Sequence, residues 1–384
     1  MSEQFRKGGE VPHIIGSDVS SLRHANRAAA LERLRTTPER YLTASDVADQ
    51  LGLSRPTAAR LLTELSEQGW AHLELAHTGS AGRPARTFRL NPRRALVAAV
   101  DAGANNLLVA IADLAGTVLQ KSYSPHHHPD SSAAMAELIE SAVRELLQNE
   151  AEEHGGLQAL HISVPATVDR DSKLRRWADS PAWATDELPA RLASAFSDFD
   201  HLALHLDGSP QSALRAERAH GVLQDQQDAA FILAGDITGA APLIAGEPYR
   251  GATGAAASVG GLPGVDWHAA TSAVLQRTGA RTLDQLVSWG LQGREDAVAA
   301  LSEYIEDLVP GIEVLIRAFD PELLVLGGCL APAKELVLVP LGGALEKTLD
   351  STPPRVVCAN VDHVEAPVLG GLSVALASVE WGAA

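Results

Sequence analysis

Between residues 95 and 326, short apolar strand-like runs alternate with helix-length amphipathic stretches, and the alternation is gone through twice. Ala95–Asp101, Asn106–Asp113 and Thr117–Tyr123 read as three strands joined by tight turns at Gly103 and Gly116. A helix from Ala133 to about Glu150 follows, then strands at His161–Val164 and Leu202–Leu206 and a helix from Ser212. The second pass brings a strand at Phe231–Ala234, long helices between Ala269 and Phe319, a strand at Leu323–Leu326 and a last helix from Gly371. This order fits an α/β body with two sheets, whose second half partly echoes the first. With 384 residues, two or three domains are expected.

The first 94 residues have a different character. They hold 14 Lys and Arg against 10 Asp and Glu, while the remainder holds 17 against 38, within a net charge of −17. A basic N-terminal piece on an acidic body suggests that this piece alone meets a polyanion. Gly8, Gly9, Pro12 and Gly16 break any pattern, so residues 1–20 read as a flexible arm. Ser21–Arg35 fits a helix that the Thr36-Thr37-Pro38 stretch ends. Thr43 and Asp46 are spaced as a helix cap and its acidic partner, opening a short helix that stops at Gly52. Ser54 caps a second helix with Ala58, Leu61, Leu62 and Leu65 inward and Arg55, Thr57, Arg60 and Thr63 outward. Two strands follow, the first with Leu73 and Leu75 on one face, joined by a Gly/Pro turn that carries Arg83 and Arg86. A helix-turn-helix with a hairpin wing over residues 21–94 is expected, and with it double-stranded DNA as a partner. Arg55 and Arg60 suit guanine edges or phosphates, and Ser54 and Thr57 suit phosphates. Arg83 and Arg86 suit a minor groove or a phosphate.

From about Ser21 onward the chain resembles the ROK family of repressors and sugar kinases. Gly82-Arg83-Pro84 followed by Leu90-Asn91-Pro92 resembles the wing and exit of its repressors, and Asp101-Ala102-Gly103-Ala104-Asn105 its first phosphate loop in repressor form. Tyr249-Arg250-Gly251-Ala252-Thr253-Gly254 resembles the segment before the sugar-binding Glu, and Asp320-Pro321-Glu322 through Gly327-Gly328 the adenosine-side strand and turn. The resemblance implies a two-lobed actin-like ATPase fold, with lobes at residues 95–210 and 211–384 and an interlobe helix at the C-terminus.

Against that pattern, residues that carry kinase chemistry are absent. A family kinase uses an Asp as general base on the sugar hydroxyl, eight residues before a helical Glu. Counting from Glu217, Ser209 stands there; Asp207 takes the position only if two residues are inserted at the helix start. The second phosphate loop reads Gly235-Asp236-Ile237-Thr238-Gly239, placing a carboxylate and a branched side chain where backbone N–H groups would meet phosphate. Asn105-Asn106 replaces the usual Thr-Lys of the first loop and removes a cation. Ser258 and Gly261 replace the sugar-binding Glu and His, and Leu262–Trp267 supplies none of the family's zinc-binding cysteines. ATP, magnesium and zinc are therefore not expected.

Asp179, Ser180, Trp183, Asp207, Ser209 and Ser258 form the candidate effector pocket. Trp177 and Trp183, flanking Asp179-Ser180-Pro181, either stack on a ligand or are packed core. His126-His127-His128 reads as a solvated loop and not a metal site. Asp101, at its strand end, is expected to bond neighbouring backbone. Cys329 and Cys358 are too few for a disulfide framework or a four-thiolate zinc site and read as core. No run approaches ~18 apolar residues and the N-terminus has no apolar signal core, so the cytoplasm is expected and no membrane. The whole implies a homodimeric or tetrameric repressor on a palindromic operator, with a catalytically inactive body that senses a small molecule, carbohydrate not assumed. The alternatives are a ligand-blind DNA-binding scaffold and an ATP-dependent sugar kinase with a DNA-binding appendage.

Overall fold

The computed structural model describes residues 19–37, 40–76, 85–126, 129–150, 152–175, 180–350 and 352–379. The chain separates into two compact units, the first ending at Arg94 and the second spanning Ala95–Val379.

In the first unit, α1 (Val19–Arg35) buries Ala30, Leu31 and Leu34 and leads to β1 (Leu42–Thr43). Thr43 accepts the Asp46 N–H at 3.2 Å while the Asp46 carboxylate accepts the Thr43 N–H at 2.7 Å, so α2 (Ala44–Leu51) starts in a reciprocal cap. Gly52 ends it at φ 65°, a left-handed conformation that a Cβ would strain. The Ser54 side chain accepts the Thr57 N–H to start α3 (Arg55–Glu67), and Pro56 lies in the first turn, where its missing N–H has no partner to lose. Ala58, Leu61, Leu62 and Leu65 recur at helical spacing and are buried. β2 (Ala71–Ala76) and β3 (Ala85–Leu90) pair antiparallel in a three-stranded sheet of order β1-β3-β2. Phe88 and Leu90 of β3 are buried, whereas Leu73 and Leu75 of β2 are 38% and 59% exposed. This is a winged helix-turn-helix.

The second unit uses one topology twice. β4 (Leu96–Ala102), β5 (Asn106–Asp113) and β6 (Val118–Pro125) form an antiparallel meander. After α4 (Ser132–Glu150), β7 (Leu157–Val164) pairs parallel with β4. A small hairpin of β8 (Thr167–Val168) and β9 (Leu174–Arg175) and then α5 (Leu188–Ala195) lead to β10 (Ala203–Gly208), parallel to β7. The sheet order is β10-β7-β4-β5-β6. Past α6 (Ser209–His220) the pattern returns as β11 (Ala229–Ala234), β12 (Gly239–Ile244) and β13 (Glu247–Pro248). Helices α7 (Trp267–Thr278), α8 (Leu283–Leu291) and α9 (Glu295–Phe319) precede β14 (Leu323–Gly328). Then come α10 (Lys334–Thr348), β15 (Arg355–Cys358) and α11 (Ala366–Ser378), with sheet order β13-β12-β11-β14-β15. In both sheets three strands run parallel and a two-strand antiparallel extension continues from the first of them. The repetition of the halves is thus complete in topology.

The last helix begins at Ala366 and not at Gly371, and α6 begins at Ser209 and not at Ser212, because Pro210 is tolerated in a first turn. α11 lies against α6 and the first sheet, and its two glycines are what let it approach. A Cβ on Gly370 would stand 1.8 Å from the Ser212 carbonyl, and one on Gly371 2.6 Å from the His161 ring. The fully buried Glu217 of α6 accepts backbone N–H groups from Val222 at 2.8 Å, Asn360 at 2.9 Å and Val361 at 2.7 Å. A carboxylate holding three N–H groups ties α6 to the chain that follows β15.

Candidate functional site

Two places carry the predicted side chains. The first is the outer face of α3. Arg55 and Arg60 are exposed there, and the first turn contains no acidic residue to offset the positive end of the helix. The Arg60 guanidinium lies 3.7 Å from Glu64, which also pairs with Arg23 at 3.0 Å, and keeps 67% of its side chain exposed. An open pair at i,i+4 is worth only ~0.3–0.5 kcal/mol, so Arg60 can leave it for a stronger anion. The Ser54 and Thr57 hydroxyls bond each other at 2.7 Å around the helix cap. Arg86 is exposed on β3, with its guanidinium 5.8 Å from the Phe88 ring centre. Arg83 lies outside the described residues.

The second place is the cleft of the body. At the carboxyl ends of three parallel strands, Asp101, Ser163 and Asp207 stand in register on β4, β7 and β10. Such strand ends are where open α/β sheets hold ligands. The Ser209 hydroxyl, first residue of α6, donates to Asp101 at 3.1 Å. Burial pushes the Asp101 carboxyl up to about 7, opposed by that hydrogen bond. Asp101 therefore bonds a side chain, not neighbouring backbone. Asp207 is buried with its carboxylate 2.5 Å from Arg250 and 3.7 Å from Arg215, and it accepts the Gly208 N–H at 3.0 Å. Burial pushes its carboxyl up while the two guanidiniums pull it back. His161, buried against Ser212 at 3.0 Å, is held neutral by burial, which lowers its pKa to about 3.

The second phosphate loop, between β11 and β12, has its own occupant. Asp236 accepts the Leu283 N–H at the start of α8 at 2.9 Å, and with its other oxygen the Asn105 side-chain amide at 2.8 Å. Thr238 is engaged by Gly235 and by the buried Tyr304 hydroxyl, the latter at 3.0 Å. A cavity of about 320 Å3 opens here, with Asp101, Asn105, Asp236, Asp284 and His363 in its wall. His363 is held by Asp284 at 3.1 Å. A nucleotide phosphate at this helix end would have to displace Asp236 and approach two further carboxyls, so these residues do not fit a nucleotide. The zinc positions fit no better: Ser258 to Trp267 offers neither Cys nor His, and Cys329 and Cys358 are buried in the second core. Among the described residues no three His, Cys, Asp or Glu side chains gather as metal ligands. His126 bonds the Gly103 carbonyl at 3.2 Å, and His127 and His128 lie outside the described residues.

Of the six candidate effector residues, the five that are described do not converge. Trp183 is fully buried in the first core with Leu188, Leu192 and Phe196, so it packs and does not stack on a ligand. The buried Ser180 hydroxyl donates to the Pro165 carbonyl at 3.0 Å. Asp179 and Trp177 lie outside the described residues. Asp207 and Ser209 belong to the strand ends above, and Ser258 lines a separate cavity of about 340 Å3 with Ile237, Val259, Gly261 and Trp267. Arg215 and Arg250 were not anticipated as Asp207 partners. A charged residue beside Gly251 at φ 75° was the one available sign that Arg250 is placed by the backbone. No helix among the described residues is long and apolar enough to cross a membrane.

Comparison with known proteins places this geometry in context. Residues 97–269 match the ROK family, and residues 27–74 match the IclR helix-turn-helix domain. A putative xylose repressor of Caldicellulosiruptor sp. is 20% identical over 321 residues, covering 75% of this chain and 79% of that protein. A solved ROK family transcriptional regulator, a homolog of the E. coli MLC protein, superposes with a TM-score of 0.71 at 16% identity, covering 93% of this chain and 98% of its own. A ROK family glucokinase from Streptomyces griseus, solved with glucose and AMPPNP, superposes at 0.60 with 21% identity, covering 73% of this chain and 99% of its own. The fold is a helix-turn-helix followed by a ROK sugar-kinase-like α/β body.

Proposed function

From a chain that joins an IclR-type helix-turn-helix to a ROK family domain, we propose a DNA-binding transcriptional regulator, a repressor, whose body transfers no phosphoryl group. The observation that carries the reading is α3: two exposed arginines on a helix whose first turn lacks an acid, inside a unit matched by a known DNA-binding domain. The relatives named as xylose repressors support repression as the outcome. Arg55 and Arg60 read base edges or phosphates in the major groove, Ser54 and Thr57 support the helix start, and Arg83 and Arg86 serve the wing. The protein acts in the cytoplasm as a homodimer or tetramer, so that two recognition helices meet a palindromic site one helical turn apart.

Loss of kinase chemistry is supported by Ser209 donating its proton to Asp101, by Asp207 being committed to two arginines, and by Asp236 lying where phosphate would bind. A general base needs an unoccupied lone pair within reach of the sugar hydroxyl. Fluorescence anisotropy on DNA from upstream of the gene tests the reading. Binding should weaken with salt over a slope of several log units, and Arg60→Ala should cost ~1–3 kcal/mol at one base position. Salt-independent binding, or no preference for that DNA, would sink it. A second reading, a body blind to any ligand, is favoured by the Asn105–Asp236 and Asp207–Arg250 ties, which link residues of the first half to residues of the second.

A further inference from the structure

We propose that α3 reads A·T base pairs through the 5-methyl group of thymine, and that Ala59 and Thr63 are the residues that meet it. The inference rests on α3 being the helix that enters the major groove, and it names the part of the base that is recognised. Ala58, Leu61, Leu62 and Leu65 are buried and fix the inward side of the helix. The side turned away from them carries Pro56, Ala59 and Arg60, all exposed, and the half-buried Thr63. At about 3.6 residues per turn, Ala59, Thr63 and Pro56 fall between Arg55 and Arg60 around the helix. The Thr63 hydroxyl donates to the Ala59 carbonyl at 2.7 Å, one turn back along the same helix. That bond spends its proton, so Thr63 cannot donate to a base and keeps its γ-methyl for contact.

The other ways of reading an A·T pair in the major groove are missing from this face. Adenine is read by the paired donor and acceptor of an Asn or Gln side chain, and the 13 residues of α3 contain neither. The Ser54 and Thr57 hydroxyls bond each other at 2.7 Å, and Glu64 is held by Arg23 at 3.0 Å. Arg55 and Arg60 suit guanine edges or phosphates. Apolar contact of Ala or Thr with the thymine methyl is the remaining means, and it is the one that the outer face supplies. The occupant is fixed by charge: two exposed guanidiniums flank the methyl-bearing residues, and the first turn holds no acid to repel phosphate. A half-site should therefore carry thymines next to the guanine that Arg60 reads.

The test uses duplexes that the full-length protein selects from a random-sequence pool, resynthesised with deoxyuridine in place of thymine at one position at a time. Deoxyuridine keeps the pairing and the charge of thymine and lacks only its methyl group. In fluorescence anisotropy, affinity should fall about fourfold at one or two thymines of each half-site, what burying one methyl group is worth, and stay unchanged at the others. Thr63→Ser keeps the hydroxyl that bonds the Ala59 carbonyl and removes the γ-methyl; Ala59→Gly removes the other methyl. On the thymine duplex each variant should bind about fourfold more weakly than the parent, with its circular dichroism spectrum and salt dependence unchanged. Each should also stop responding to deoxyuridine at its own thymine. Equal affinity for duplexes with deoxyuridine throughout overturns the inference and leaves DNA binding standing, and so does a deoxyuridine penalty that both variants retain. Selection that yields no preferred sequence overturns the DNA-reading function together with it, so the two failures are told apart.

Discussion

The two hollows of the body were altered in opposite directions. On the phosphate side the differences from the kinase pattern add side chain: Asp236 and Ile237 stand in a loop otherwise built of small residues, and Asn105 reaches across to Asp236 at 2.8 Å. Behind residues 257–262 they subtract it, with Ser258 and Gly261 where the resemblance expects Glu and His. The first hollow is lined by carboxylates that are bonded within the chain; the second has no Asp, Glu, Lys or Arg in its wall. A cavity of similar size remains in each, about 320 Å3 and about 340 Å3, so the two differ in the charge and bonding of their walls and not in the room they leave.

Three substitutions break or sharpen that contrast, and Asp101→Asn should do most. The folded protein keeps the Asp101 proton to about pH 7, while an unfolded Asp releases it near 3.8, so folded stability falls as pH rises through that window. Asn cannot ionise and can still accept the Ser209 hydroxyl. At pH 8 it should therefore be more stable than the parent by up to about 4 kcal/mol, the equivalent of three pH units, with the difference gone below pH 4. Urea titrations across pH would show this, and equal stabilities at pH 8 would mean Asp101 is better solvated than its burial implies. Asp236→Gly comes next. It leaves the Leu283 N–H and the Asn105 amide without their acceptor, at a cost of ~2–4 kcal/mol. Millimolar phosphate should recover part of that loss in the variant and do nothing for the parent; identical phosphate responses would remove the idea of a filled site. Asn105→Ala deletes only one of the two bonds and should cost about 1–2 kcal/mol by the same measurement.

How much of this fold is legible in the order of residues? The helix caps at Thr43 and Ser54 and the stripe from Ala58 to Leu65 were legible because they rest on neighbours within one turn. So were the strands of the meander, bounded by Gly103 and Gly116. α10 was not, since Pro340, Gly342 and Gly343 interrupt its pattern and only Val337, Leu341 and Leu345 are buried. β12 and β15 escaped as well: β12 ends beside the Ala245-Gly246 turn with Pro242 inside it, and β15 is four residues long. Within the cleft, the acidic Asp236 was visible, but its partner lies 47 residues away at Leu283. Trp183 shows the same limit from the other side, because an indole in sequence does not say whether its faces meet protein or ligand. Local causes can be read from order along the chain; partnerships across a fold cannot.

The carboxylate of Asp236 has one more consequence if the protein regulates transcription. A relative that must hold a nucleotide to close its cleft is coupled to the ATP supply of the cell, because occupancy follows concentration. Here the anion is part of the chain, present at a fixed one-to-one ratio and never hydrolysed. A regulator built this way would give the same answer in a starved cell as in a fed one, leaving its attention to whatever else it senses.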